Sequence, residues 1–350
     1  MVTGAGIPTR AKGVSEAWLV IPPIHPVAGA GGAVAEPLLV ADIGGTNARF
    51  ALLDETTGEA GPPHRVRLDR YGGIAEAIAE FLASHVPDRR PPRGAVLAVA
   101  GPVSNNRAKL TNRDWVVDGP ELGHALEIGA VRVVNDFAAV SWSLPQLGPA
   151  DLFQLGGGAA EPGEPMAVLG PGTGLGVGAF LPPDRALVTE GGHASLAAHD
   201  AREAAVVEWL RARHGGHVSA ERVLSGMGIE NLHAALAALG GEDAPGSDAA
   251  AVTDAALSGA DPLCREALSM FCAILGAVAG DLALLYGARG GVFIAGGICP
   301  RFPEFVAASR FRARFEAKGR LGTFVKPVPA WIITRPDAAM LGLAAMARRL

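Results

Sequence analysis

Three apolar runs in this chain are each followed at once by a glycine-rich turn. The junctions are residues 38–43 with Gly44-Gly45-Thr46, residues 166–169 with the loop 170–176, and residues 291–295 with Gly296-Gly297. A short apolar run bounded by glycine is typical of a buried strand that ends in a tight turn. Because buried strands must share sheets, these three junctions constrain the fold more than any other feature of the sequence.

Glycine turns at strand ends also favour one kind of ligand. Glycine lets the backbone turn tightly and bring its N–H groups close to an anion, and a nearby hydroxyl such as Thr46 or Thr173 adds a donor. A single Gly-Gly is usually an ordinary hairpin turn, but three such junctions in one chain favour phosphate binding. The sequence contains no GxxxxGK[ST], and the loop 170–176 lacks GxGxxG spacing, so P-loop and Rossmann folds lose their main support.

Asp42 stands immediately before the first turn. Its carboxylate is placed where the Mg²⁺ of a bound nucleotide would need an oxygen ligand or a held water. An aspartate that only supports the turn explains the same position. The residues by themselves leave both interpretations open.

Strand and helix patterns alternate along the rest of the chain. Apolar residues recur at helical spacing in residues 74–82, and short strands are expected at 95–100 and 131–134. This alternation predicts an α/β layer structure. The second half is expected to be largely helical, with helices over residues 201–213, 220–224, 228–239, 262–286 and 337–350.

The length of 350 residues exceeds the size at which one hydrophobic core usually stops growing, so two lobes with a cleft between them are expected. Residues 1–37 carry five prolines and six glycines with no sustained period, which predicts a disordered extension. The net charge of −5 gives no electrostatic reason to expect nucleic acid or an anionic membrane. A small-molecule substrate and a cytoplasmic location fit better.

The spacing of the cysteines and the length of the apolar runs argue against a zinc-binding motif and against a membrane span. Cys264, Cys272 and Cys299 form no CxxC pair and have no zinc-ligand spacing, so they read as free thiols. The longest apolar stretch, residues 267–280, is shorter than the roughly 20 residues that a membrane span needs, and a buried helix is expected there.

Polar residues gather at other predicted strand and turn ends. Asn135-Asp136 follows a buried strand, where open α/β sheets collect their ligands. Glu190 and His193 flank a flexible Gly-Gly pair, and Glu221 is expected to open a helix. Turn chemistry and helix-dipole effects explain parts of this set. Together, carboxylates, an amide and an imidazole suit the ring of hydroxyls of a monosaccharide, and one carboxylate can accept a proton.

At this point the chain resembles the bacterial glucokinase family, of the same superfamily as hexokinase, actin and the heat-shock chaperone ATPases. The resemblance covers about residues 38–350. It rests on the strings ADIGGTNAR from Ala41, LTNRDW from Leu110, VVNDFAAV from Val133, LGPGTGLG from Leu169, EGGH from Glu190, GHVSAERVLSG from Gly216 and GGVFIAGGICPRF from Gly290.

The resemblance implies an α/β, two-lobed actin-like ATPase (ribonuclease H-like) fold. A small α/β domain would comprise residues 38–146 with 335–350, and a large α+β domain residues 147–334. It also implies glucose and MgATP in the cleft and a homodimer.

The resemblance further assigns roles to single residues. It makes Asp136 the general base that accepts the proton of the glucose 6-hydroxyl during phosphoryl transfer from ATP. Glucose would be held by Asn135, Asp136, Glu190, His193 and Glu221. The nucleotide and its Mg²⁺ would be surrounded by Asp42, Ile43, Gly44, Gly45, Thr46, Asn47, Gly172, Thr173, Gly174, Gly296 and Gly297, with Asp42 on the metal through water.

One departure from the family pattern is visible: Ala194-Ser195 follows His193 where related enzymes often carry an aspartate. Two rival functions are a kinase for another hexose, such as mannose or fructose, and a non-catalytic sugar sensor with the same fold. Residues 1–37 show no helix-turn-helix pattern that would favour a DNA-binding repressor.

Overall fold

The computed structural model describes residues 37–54, 58–86, 90–110, 113–242 and 246–350. The predicted extension, apart from Pro37, lies outside these ranges, as do Thr111 and Asn112 of the LTNRDW string. The strands are β1 (Leu38–Ile43), β2 (Asn47–Leu53), β3 (His64–Arg67), β4 (Gly94–Val99), β5 (Arg107–Lys109), β6 (Val116–Asp118), β7 (Ala130–Asn135), β8 (Leu152–Gly156), β9 (Met166–Pro171), β10 (Leu175–Leu181), β11 (Arg185–Thr189), β12 (Gly291–Ile294) and β13 (Ala330–Ile333). The α-helices are α1 (Ile74–His85), α2 (Gly119–Leu126), α3 (Asp136–Ser143), α4 (Ala201–Arg213), α5 (Gly226–Gly240), α6 (Ala249–Ser258), α7 (Pro262–Leu285), α8 (Pro303–Ala308), α9 (Phe311–Glu316), α10 (Gly322–Val325) and α11 (Ala338–Ala347).

Two large sheets organise the molecule. The first has the order β3-β2-β1-β4-β7, and the second has the order β11-β10-β9-β12-β13-β8. In each, three mutually antiparallel strands are followed by two strands parallel to the third, so β1 and β9 occupy equivalent places. Strand β8 adds an antiparallel edge strand to the second sheet. The first glycine turn joins β1 to β2, and the second joins β9 to β10. The hairpin predicted at the first turn is confirmed by the pairing of Ile43 with Ala48.

Helices α3 and α11 pack against each other and share one core with both sheets. Val96 of the first sheet, Phe293 of the second and Met340 of α11 belong to this core. The helices approach closely because α11 carries a glycine at the contact: a Cβ at Gly342 would lie 1.8 Å from the Ala139 carbonyl oxygen. The C-terminal helix α11 therefore packs against α3 and against β1 and β4 of the first sheet.

Helix α7 forms the centre of the second lobe, packed against α5, α6 and α9. By length and composition alone it could cross a membrane, but 72% of its most apolar window is buried inside the protein. Cys264 and Cys272 lie on this helix, and Cys299 follows β12. All three are buried free thiols. Helix α7 is thus the buried core helix that its apolar composition predicted.

One predicted helix, residues 220–224, was wrong in type. Only a short 3₁₀ turn forms there, at Ala220–Arg222. The reason is Ser225, whose backbone is extended because it caps α5, with its side-chain oxygen accepting from Gly228 N. A helix cannot continue through a residue in that conformation. The predicted domain boundaries stay a prediction.

Candidate functional site

Asn135 and Asp136 lie where β7 passes into α3. Asn135 Oδ1 accepts hydrogen bonds from Phe137 N at 2.8 Å and Ala138 N at 3.3 Å, which caps the helix. Asn135 Nδ2 donates to the Gly101 carbonyl oxygen at 3.1 Å, beyond the end of β4. The amide is therefore fixed by two strand ends, with one N–H left to serve a ligand.

Asp136 is half-buried at the first position of α3. The pKa of its carboxyl is raised to about 6, chiefly by burial and also by the charges of Asp42 and Glu190, against the opposing hydrogen bond from Phe137 N. A carboxylate with a pKa near the working pH is well suited to accept a proton as a general base.

The start of α3 is placed by glycines of the second sheet. The Phe137 ring rests on β9 and β10, where a Cβ at Gly170 would lie 2.5 Å from its Cζ and a Cβ at Gly176 would lie 1.9 Å from its Cε2. Any larger residue at Gly176 must displace this ring. Two glycines that looked like loop residues in the sequence therefore position the neighbouring Asp136.

The first glycine turn is closed by its own backbone and supported by an arginine. Gly44 N donates to the Asn47 carbonyl oxygen at 3.0 Å, and Arg113 Nε donates to the Gly45 carbonyl oxygen at 2.9 Å. Thr46 is exposed at the tip. The Ile43 side chain is fully buried in the core, so only its main chain can face a ligand.

Asp42 shares the guanidinium of Arg49 with one other carboxylate, that of Asp337. Arg49 approaches Asp42 at 3.4 Å and Asp337 at 3.9 Å. Burial raises the pKa of Asp42, and the charge of Asp337 adds to this, although Arg49 opposes both. With Asp136 also close enough to interact electrostatically, the negative charge exceeds the positive charge. Such a group fits an added divalent cation.

Glu190, His193 and Glu221 approach one another without forming hydrogen bonds. His193 Nε2 lies 4.0 Å from Glu190, and His193 Nδ1 lies 3.9 Å from Glu221. The side chains of Glu190 and His193 are 62% and 59% exposed. Glu221 is more enclosed, and its Oε2 accepts from Leu175 N at 3.0 Å, at the first residue of β10.

The second glycine turn is tied to this group. Gly174 must be a glycine because a Cβ there would lie 2.5 Å from Glu221 Oε2. Gly172 N donates to the Gly174 carbonyl oxygen at 2.9 Å, and the Gly172 carbonyl oxygen accepts from Gly226 N at 2.8 Å. Thr173 is exposed at the tip of the turn.

The third glycine pair lies beside the second turn. Gly296 has φ +83°, a conformation that favours glycine, and a Cβ there would lie 2.2 Å from the Pro171 carbonyl oxygen. Gly297 is exposed, with open space around its Cα. The two glycine turns of the second sheet therefore meet at the end of β9.

Contacts or electrostatic interactions join the predicted site residues into one series. Asp42 acts on Asp136, Asp136 on Glu190, and His193 stands between Glu190 and Glu221. A cavity of about 760 Å³, a size typical of ligand clefts, reaches Asn135, Thr189 and Glu190. Sequence reasoning missed Arg113, Arg49, Phe137 and Asp337, although Arg49 and Arg113 lay inside the motif strings.

Comparisons with known proteins agree with one another. The glucokinase family model matches residues 39–350. A glucokinase of Paramagnetospirillum magneticum is 47% identical over 317 residues, covering 89% of this chain and 98% of its own length. The crystal structure of a glucokinase from an Antarctic psychrotroph has a TM-score of 0.81 at 39% identity, covering 90% of this chain and 99% of its own. A glucokinase of Balamuthia mandrillaris in complex with glucose shares the fold, with a TM-score of 0.69 at 20% identity over 90% of this chain and 94% of its own. The predicted two-lobed fold class is confirmed.

Proposed function

This chain belongs to the glucokinase family, and from that premise we propose that it transfers the γ-phosphoryl group of ATP to the 6-hydroxyl of D-glucose. The observation that carries the proposal is Asp136, a half-buried carboxylate whose pKa is raised to about 6, directly after Asn135 and within electrostatic reach of Asp42 and Glu190. In this role Asp136 accepts the proton of the attacking hydroxyl.

The remaining polar residues would hold the sugar. The second N–H of the Asn135 amide would donate to a sugar hydroxyl next to the one that reacts, because Asn135 and Asp136 are adjacent in the chain. His193 Nε2 lies 4.0 Å from Glu190, and His193 Nδ1 lies 3.9 Å from Glu221. At this spacing sugar hydroxyls can bridge the side chains. Binding then supplies the hydrogen bonds that these residues lack among themselves.

The glycine turns would receive the nucleotide. The main chain from Ile43 to Asn47, which follows β1 of the first sheet, would line one side of the nucleotide. The main chains of Gly172-Thr173-Gly174 and Gly296-Gly297, at the end of β9 of the second sheet, would line the other. Mg²⁺ would be held near Asp42, directly or through water, where Asp136 and Asp337 add negative charge. When bound, the ion neutralises charge on the transferred phosphate.

Little covalent chemistry falls to the protein, since positioning and charge stabilisation dominate phosphoryl transfer. Exclusion of water from the cleft favours the sugar hydroxyl over hydrolysis of ATP. We further propose that the protein is a cytoplasmic homodimer that supplies glucose 6-phosphate to glycolysis.

A coupled assay tests the proposal directly. Purified protein with MgATP is offered glucose, mannose, fructose or N-acetylglucosamine, and the phosphorylated product is identified by mass spectrometry. Glucose is expected to give the highest kcat/KM, with glucose 6-phosphate as product. A higher kcat/KM with another hexose would show that glucose is not the preferred substrate. Glucose binding without a phosphorylated product would show that the protein is a sugar sensor and not a kinase.

A further inference from the structure

Three side chains with metal-binding chemistry meet away from the site described above. They are His233 on α5, Asp261 at the N-terminal cap of α7, and Cys264 in the first turn of α7. One ligand atom from each lies within 4.8 Å of the other two. Because these residues are 28 and 3 positions apart, their meeting could not be read from sequence spacing.

We propose that His233, Asp261 and Cys264 form a binding site for a borderline-soft divalent cation of the zinc class. An imidazole, a thiolate and a carboxylate are the donors that Zn²⁺ and Co²⁺ accept together, whereas Mg²⁺ and Ca²⁺ prefer oxygen alone. Among the described residues this is the group of at least three His, Cys, Asp or Glu side chains that meets at such distances.

Burial and local hydrogen bonding favour the site. His233 is 6% exposed and Cys264 is 5% exposed, so the two softer donors are already removed from bulk water. Asp261 Oδ1 accepts from Leu263 N at 2.7 Å and Cys264 N at 3.2 Å. These bonds fix the orientation of the carboxylate, as supporting contacts do in metal sites, and leave its second oxygen for the ion.

The geometry needs only a small adjustment. In a tetrahedral zinc site with bonds of roughly 2.0 to 2.3 Å, neighbouring ligand atoms are roughly 3.3 to 3.8 Å apart. Because the ligand atoms lie within 4.8 Å of one another, the group must contract by at most roughly 1.5 Å.

A cavity borders the site on the side of His233. A space of about 390 Å³ is lined by His233 together with Glu230, Asn231 and Asp248. Water from this cavity can complete a four-coordinate site, as it does in sites with three protein ligands. Binding exchanges the thiol proton of Cys264 for the metal, and the proton leaves to solvent. The bound ion would join α5 to the N-terminus of α7.

Cobalt absorption spectroscopy tests the site on the full chain after treatment with a chelator and buffer exchange. Titration with Co²⁺ should give a thiolate-to-cobalt charge-transfer band that saturates at one ion per chain and is bleached by Zn²⁺. The Cys264→Ala variant should lose this band. Cys272→Ala is the matched control, because Cys272 is a fully buried cysteine on the same helix, and it should keep the band.

Two further measurements keep the proposal open to refutation. Zn²⁺ should raise the melting temperature of the unaltered chain and of Cys272→Ala but not of Cys264→Ala, and His233→Gln should weaken the cobalt band if Cys264→Ala does not fold. Absence of a charge-transfer band in the unaltered chain, or an equal band in Cys264→Ala, would overturn the site. Neither result depends on sugar phosphorylation, so the proposed kinase activity is tested separately.

Discussion

The residues proposed to hold the sugar form two groups that the fold treats differently. Asn135 and Asp136 begin α3, are half-buried, and accept hydrogen bonds from the first N–H groups of that helix. Glu190 and His193 lie in a short turn, with side chains that are 62% and 59% exposed, and His193 Nε2 lies 4.0 Å from the Glu190 carboxyl oxygen.

The first group is held in place by the fold, whereas the second group is free to adjust. The first group is already in place because the helix start, the Gly101 carbonyl and the Phe137 ring hold it. In the proposed function the second group gains hydrogen bonds when the sugar supplies hydroxyls. The proposed proton acceptor is therefore preorganised, which would save reorganisation during the reaction, while the exposed pair would adjust to the sugar.

Asp136→Asn should give the largest effect. The amide cannot accept the proton, so kcat is expected to fall by about 10²- to 10⁴-fold, while glucose binding changes little. Coupled kinetics and isothermal titration with glucose measure the two quantities. Asp184→Asn is the control, because it removes a carboxylate that pairs with Arg349 and belongs to none of the proposed site residues. A near-normal kcat for Asp136→Asn would show that the preorganised group is not the base.

Gly176→Ala should disturb the preorganised group through its support. The added Cβ would lie 1.9 Å from the Phe137 ring, and such overpacking costs about 1 to 3 kcal/mol of unfolding free energy. Urea denaturation measures the loss. Gly172→Ala in the same hairpin is the stability control, because nothing lies within 4 Å of its added Cβ. Equal stability of the two variants would contradict the role assigned to the glycines.

The raised pKa of Asp136 predicts the pH dependence of turnover. Protonation removes the base, so kcat/KM should fall about tenfold per pH unit below about 6, the pKa of the Asp136 carboxyl. Initial rates from pH 5 to 8 check this. The same shift makes the fold more stable, not less, as the pH falls from about 6 toward 3.8, because the charged form is the one that burial disfavours. Circular dichroism should therefore show folded protein at the pH where activity is lost. A break in the kcat/KM profile near pH 4 instead of near pH 6 would exclude Asp136 as the base.

The smallest effects concern stability. Asn135→Ala removes a helix cap and is expected to cost about 1 kcal/mol of unfolding free energy. His193→Ala changes an exposed side chain and should alter it by less than about 0.5 kcal/mol. Both variants should raise the KM for glucose. Thermal and urea denaturation distinguish them, and an equal loss of stability would show that the exposed group is also held by the fold.

Much of this arrangement was predictable from the sequence. Leu38–Ile43 with Gly44-Gly45 predicted a buried hairpin strand, and Asn135-Asp136 after an apolar run predicted polar groups at a strand end. Both are confirmed as structure. Strands β10 and β13 were missed, because fully buried strands next to glycine or helix patterns carry no two-residue alternation.

The sequence by itself determined the family, the glycine turns and the residue types of the sugar group, since these depend on local backbone freedom and on side-chain chemistry. Only the tertiary structure decided that Phe137 rests on Gly176, that Arg49 joins Asp42 to Asp337, and that His233 meets Cys264. These contacts link residues 39, 288 and 31 positions apart. Their distances are set by how sheets and helices pack, which local sequence patterns do not encode.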